Sequence, residues 1–157
     1  MDDVGELIIP VEIWLAMQGE VDRWAPEEAC GLLAGTGRVV QAIFPISNLL
    51  HSSTGFRMDP QQQVRAFIEI EQAGMELIAI YHSHPTGSLQ PSQTDLAEFA
   101  YPGVAAIIWG SAAFSSSPSP PGFLPKSTHS FQDWSARAFF IEDQSFHEIG
   151  IHLKQLS

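Results

Sequence analysis

Leu77-Ile78-Ala79-Ile80-Tyr81-His82-Ser83-His84-Pro85 is the stretch from which the fold can be read. Residues 77–81 are a near-continuous apolar run, the pattern of a strand buried on both faces within an α/β sheet. Pro85 ends it and starts a turn-rich connection, because proline has no amide hydrogen to give a neighbouring strand. His82 and His84 stand two apart at the end of this strand. Strand side chains alternate faces, so both imidazoles point the same way.

Upstream, Asp59 can cap a helix, Pro60 fits its first turn and Gly74 fits its stop, with Val64, Phe67, Ile68 and Glu71 along one mostly apolar side. Further back, Cys30-Gly31-Leu32-Leu33-Ala34-Gly35 reads as a buried strand, paired across Thr36-Gly37 with a β-rich run from Arg38 to Ile46. Residues 6–9 read as a short strand. Trp14, Met17, Val21 and Trp24 recur at helical spacing between Pro10 and Pro26. Downstream, a third helix starts near Ser92 and ends before Pro102-Gly103, and Val104 to Trp109 is another buried strand. Residues 134–142 and 145–153 read as two strands of a hairpin around Asp143-Gln144. Ahead of that hairpin, residues 111–128 are rich in Ser and Pro, offer little apolar surface and are expected to be a mobile insert. The pattern predicts one α/β domain over residues 1–157, with a mixed β-sheet flanked by about three helices.

Composition narrows the function. Apolar residues make up 45% of the 157 and charged residues 16%, a globular balance. Eighteen acidic residues against seven basic ones give a formal net charge of −11, which argues against nucleic acid and against anionic membrane surfaces as partners. No apolar run approaches the roughly 20 residues that span a bilayer. The acidic N-terminal segment lacks the basic start of a secretory signal, so a cytoplasmic location is expected. Cys30 is the single cysteine, which rules out a disulfide within the chain and leaves His and carboxylates to build any metal site. Set in an apolar strand, Cys30 itself reads as inert packing.

The chemistry-bearing pattern is His82-Ser83-His84-Pro85, six residues, Ser92, two residues, Asp95. Two neutral imidazoles and one carboxylate suit Zn²⁺ and leave a fourth tetrahedral position for water. Hydrolysis then needs a general base, and Glu28 beside the buried strand is the candidate, with Glu27 competing for the role. Ser92, one helical turn before Asp95, can supply a hydroxyl to an oxyanion. Ser92-Gln93-Thr94-Asp95 also has the form of a capping box, which needs no metal; one helix start can serve both purposes. His51, His129, His147 and His152 read as ordinary surface or core residues.

These motifs, with Glu28-Ala29-Cys30-Gly31 and Phe56-Arg57-Met58-Asp59-Pro60 upstream, resemble the JAMM (MPN-plus) metalloprotease family over about residues 6–153. The resemblance implies a cytidine-deaminase-like fold and one zinc per chain held by His82, His84 and Asp95. It implies Ser92 as oxyanion donor and Glu28, two residues before the cysteine, as general base. The short form is similar to prokaryotic members. These cleave peptide or isopeptide bonds after the C-terminal Gly-Gly of small β-grasp proteins, either ubiquitin-like modifiers or sulfur carriers. A non-catalytic scaffold of the same fold is the competing expectation; such members usually lack ligand residues, and none is substituted here. The stretch 111–128 falls where larger members carry a substrate-holding insert. The segment Ser52 to Met58 is the expected edge for an extended tail.

Overall fold

Alternation along the central strand divides the chain into two cores. The structure is a computed structural model, and it describes residues 5–85, 88–99, 101–111 and 134–155. Strand β4 (Glu76–His84) directs Ala79 and Tyr81 to one face of the sheet and Ile80 to the other, with His82 and His84 in phase with Ile80. Its neighbours are β2 (Cys30–Thr36), antiparallel, and β5 (Ala105–Ser111), parallel. Both stand fully inside the sheet, which explains runs with almost no polar residue.

The remaining strands are β1 (Leu7–Pro10), β3 (Val39–Ile46), β6 (Trp134–Glu142), β7 (Ser145–Ile149) and β8 (Ile151–Lys154). They complete a mixed eight-stranded sheet in the order β7-β6-β5-β4-β2-β3-β1-β8. Helix α1 (Val11–Trp24) covers one face, burying Met17 and Val21 against Leu33, Tyr81 and Trp109. Helices α2 (Pro60–Gln72) and α3 (Gln93–Glu98) cover the other, where α2 meets Leu32 and Ile80 and Leu96 of α3 meets Ile108 and Phe139. The mixed sheet with three helices matches the fold read from the sequence. Among the described residues no helix is long and apolar enough to cross a membrane.

Three expectations need correction. The run 145–153 is not one strand. It breaks at Gly150; the following residues cross to the opposite edge of the sheet, where Ile151–Lys154 pairs in parallel with Leu7–Pro10. Gly150 fits there because its carbonyl accepts from Leu7 N at 2.9 Å, and a Cβ would lie 2.9 Å from the Glu6 side chain. The buried stripe of α2 is Ala66 and Ile70, with Phe67 beside it; Val64 and Ile68 face solvent. The small Ala66 lets the helix approach the sheet closely. Ser111 is the last residue of β5 and not part of an insert, and residues 112–128 of that stretch lie outside the described residues.

Candidate metal and catalytic site

The register of two antiparallel strands assembles the site. Cys30 pairs with His82 and Gly31 with Tyr81, so extending the register two residues puts Glu28 across from His84. Glu28 is also in phase with Cys30 and Leu32, which lie on the α2 and α3 side with the histidines. Ser83, between the histidines, points the other way. Its Oγ accepts from Ala29 N at 2.8 Å and its amide donates to Ala29 O at 3.1 Å, locking the strand end to the residue after Glu28. Asp95 comes from the first turn of α3. Ser92 caps that helix: Ser92 Oγ accepts from Asp95 N at 3.0 Å, and Ser92 N donates to Asp95 Oδ2 at 2.8 Å. The capping box therefore exists, and the same bonds aim the Asp95 carboxylate.

All five residues singled out from the sequence meet at one place. His82 Nε2 and His84 Nε2 lie 3.0 Å apart. Asp95 Oδ1 is 3.2 Å from His82 Nε2, and Oδ2 is 3.1 Å from His84 Nε2. The Glu28 carboxylate and the two imidazoles each offer a ligand atom, all within 4.8 Å of one another. His82, His84 and Glu28 are 4%, 8% and 5% exposed. Glu28, His84, Ser92 and Asp95 open into a cleft of about 600 Å³, walled on the far side by Ser53 to Arg57. Glu27 takes no part: its carboxylate meets His51 Nδ1 at 2.9 Å near the surface. Cys30 is buried with its Sγ against Ile46 O, and burial pushes the thiol up to about 12, which fits inert packing.

Charge and tautomer say what the site is built to hold. The Ser88 carbonyl lies 2.7 Å from His84 Nδ1 and can only accept, so that nitrogen carries the hydrogen. In neutral His84 the Nε2 lone pair then faces the Asp95 carboxylate, an acceptor against an acceptor. A cation between them removes the conflict. Burial works against protonating His84, but Asp95, the Ser88 carbonyl and Glu28 outweigh it and raise its pKa. Burial lowers the pKa of His82. Burial would raise Asp95, yet the hydrogen bonds with His82 and His84 hold its carboxyl well below the usual carboxylate range. A tetrahedral zinc with bonds of about 2.0–2.2 Å sets its ligand atoms roughly 3.3–3.6 Å apart, a few tenths of an ångström wider than the 3.0–3.2 Å here. The residues present fit Zn²⁺.

Glu28 is pushed up to about 7, chiefly by burial; His84 acts against that and Asp95 adds to it. Its ordinary value is 4.5, so folding favours the protonated form, and the zinc-free chain loses stability as pH rises from 4.5 towards about 7. Glu28→Gln removes that loss. The zinc-free variant is expected to exceed the parent in stability at pH 7 by up to about 3 kcal/mol, and to match it near pH 4. Urea unfolding at the two pH values checks this; equal stability at pH 7 would contradict it.

Sequence reasoning gave no role to three residues. Ser83 braces Ala29, which strand alternation alone could have indicated. Phe56 stacks on the His82 ring with centroids 4.7 Å apart, and Asn48, 0% exposed, bonds to the Glu28 carbonyl at 3.0 Å. Phe56 stands in the Phe56-Arg57-Met58-Asp59-Pro60 motif without a role of its own, and Asn48 carries no local signal. The segment 52–58 forms no strand: a lone bridge joins Met58 to Asn48, and Ser52 O accepts from Glu28 N at 2.8 Å.

The family model described as prokaryotic homologs of the JAB domain matches residues 10–123. The chain belongs to that family. This JAB-domain chain is 37% identical over 86 residues to a desampylase of Haloferax volcanii, covering 53% of the chain and 62% of that relative. It is 36% identical over 93 residues to the CysO-cysteine peptidase of Mycobacterium bovis, covering 57% of the chain and 63% of that relative. The matched region thus spans less than two thirds of either relative's length. Among solved structures, a Desulfitobacterium hafniense protein superposes with a TM-score of 0.75 at 25% identity, over 95% of this chain and 93% of the other.

Proposed function

We propose that this JAB-domain chain is a zinc-dependent metallopeptidase. It hydrolyses the peptide or isopeptide bond after the C-terminal Gly-Gly of a ubiquitin-like or sulfur-carrier β-grasp protein. The convergence of His82, His84 and Asp95 on one point, with buried Glu28 beside them, carries the reading. His82, His84 and Asp95 hold one zinc per chain. The ion, when bound, acts as a Lewis acid and lowers the pKa of a water to about 7. Glu28 takes a proton from the attacking water and returns it to the leaving amine; a carboxyl lifted towards neutrality suits both transfers. Ser92 Oγ accepts from Asp95 N, which leaves its own hydrogen to donate to the oxyanion. Ser92→Ala is expected to lower kcat about 10²-fold and to cost about 1 kcal/mol through the lost cap, read from steady-state kinetics and thermal unfolding.

The substrate class draws support from the two relatives, whose names describe a desampylase and a peptidase acting on CysO-cysteine. A physical reason stands beside it. The scissile carbonyl must reach groups only a few per cent exposed at the end of a buried strand, and glycine brings backbone close without a Cβ in the way. We place the tail along residues 53–57, which wall the cleft into which Glu28 and His84 open. Leu50, 52% exposed, lines the cleft, and with its chain neighbour Leu49, 45% exposed, gives apolar surface for the partner's globular body. A single domain over residues 1–157 and a cytoplasmic location complete the proposal; the acidic composition and lone cysteine support the location. The test is a set of fusions to a β-grasp protein with tails ending Gly-Gly, Gly-Ala and Ala-Ala. Cleavage should follow the last glycine and fall about 10²-fold or more when either glycine is replaced. Equal cleavage of all three would leave a general peptidase.

A further inference from the structure

We infer that Asn48 is the positioning residue of Glu28, and that it couples the base to the loop walling the cleft. The inference rests on the proposed role of Glu28. Asn48 lies two residues beyond β3 and is 0% exposed. Its carboxamide makes four bonds. Nδ2 donates to Glu28 O at 3.0 Å and to Gly55 O at 3.1 Å; Oδ1 accepts from Leu50 N and from Arg57 N, each at 3.0 Å. That uses both donors and both lone pairs of the side chain. Burying a carboxamide is costly unless it is fully paired, so a buried Asn paired on all sides fixes its surroundings in one arrangement.

The four partners, Glu28, Leu50, Gly55 and Arg57, all line the cleft, while Asn48 sits behind them. Three of these bonds lie within the connection from β3 to α2 and would suffice to shape a turn. The fourth reaches 20 residues back to the base. A second strut runs the same way, from Glu28 N to Ser52 O at 2.8 Å. The backbone of Glu28 is therefore held through both its amide and its carbonyl by the loop along which the tail is placed. Among the described residues these two bonds are what tie the Glu28 backbone to distant parts of the chain; Ser83 grips the next residue.

Asn48→Asp isolates the coupling. The aspartate keeps both acceptor bonds to the loop and loses both donor bonds, setting an oxygen against the carbonyls of Glu28 and Gly55. Zinc content should stay at the parental level. With the Gly-Gly fusion as substrate, kcat should fall about 10–100-fold and KM should change less than about threefold. In a Glu28→Gln background the same substitution should cost no more than about twofold, because the base it positions is gone. An equal loss in both backgrounds marks a merely structural role and overturns the inference, as does a rise in KM alone. If Glu28→Gln by itself keeps parental turnover, the base assignment fails and this inference with it, which sets that failure apart from an additive Asn48 effect. A measurement on the unsubstituted, zinc-free chain guards against a variant that does not fold. Both Asn48 carboxamide protons should exchange with solvent at least about 10²-fold more slowly than those of an exposed amide; exchange at the exposed rate overturns the inference.

Discussion

Glu28→Gln is expected to leave zinc bound and to lower kcat by about 10²–10⁴. The reasoning is positional. Glu28 faces His84 across the sheet and opens into the cleft, whereas the two imidazoles and Asp95 already meet without it at 3.0–3.2 Å. Glutamine keeps the shape of the side chain and removes its capacity to take a proton. Glu27→Gln is the control: that carboxylate meets His51 instead, so turnover should stay near the parental value. Parental kcat in the Glu28 variant, at full zinc content, would end the assignment of the base.

His84→Ala is expected to lose zinc and turnover together. His84 is the hub of the cluster, touching His82 and Asp95 through Nε2 while the Ser88 carbonyl fixes its tautomer through Nδ1. Removing an outer partner of a ligand costs about 10–100-fold in metal affinity, and removing a ligand should cost more. Elemental analysis after dialysis should find the variant essentially free of zinc. His147→Ala, on β7 and away from the cleft, should lose neither metal nor activity. Retention of stoichiometric zinc by the His84 variant would mean the ion is held elsewhere.

Much of the site was legible because its parts are local. The apolar run ending in His82-Ser83-His84 specifies a buried strand and a shared face within nine residues, and Ser92 with Asp95 specifies a helix start within four. The same holds for α2, where Asp59 accepts from Gln61 N and Gln62 N as its position before Pro60 implies. Periodicity did not show which stripe of α2 turns inward. Val64 with Ile68 and Ala66 with Ile70 are both apolar at helical spacing, with Phe67 lying between them; the choice depends on how near the sheet lets the helix come. The break at Gly150 was hidden for a similar reason. Residues 151–154 find their partner at β1, at the other end of the chain, and no nearby residue announces it. Asn48 was invisible because its value lies in one bond to a residue 20 positions away. Local chemistry reveals the ligands, and long-range pairing decides what supports them.

The most direct test is a crystal structure of the zinc-loaded chain with the ion located by its anomalous signal. It should show one zinc within about 2.0–2.2 Å of His82 Nε2, His84 Nε2 and an Asp95 carboxylate oxygen, with a fourth ligand that is not protein and Glu28 outside bonding distance. A zinc bound by Glu28, His82 and His84 with Asp95 turned away, or by any other set of side chains, would contradict the account.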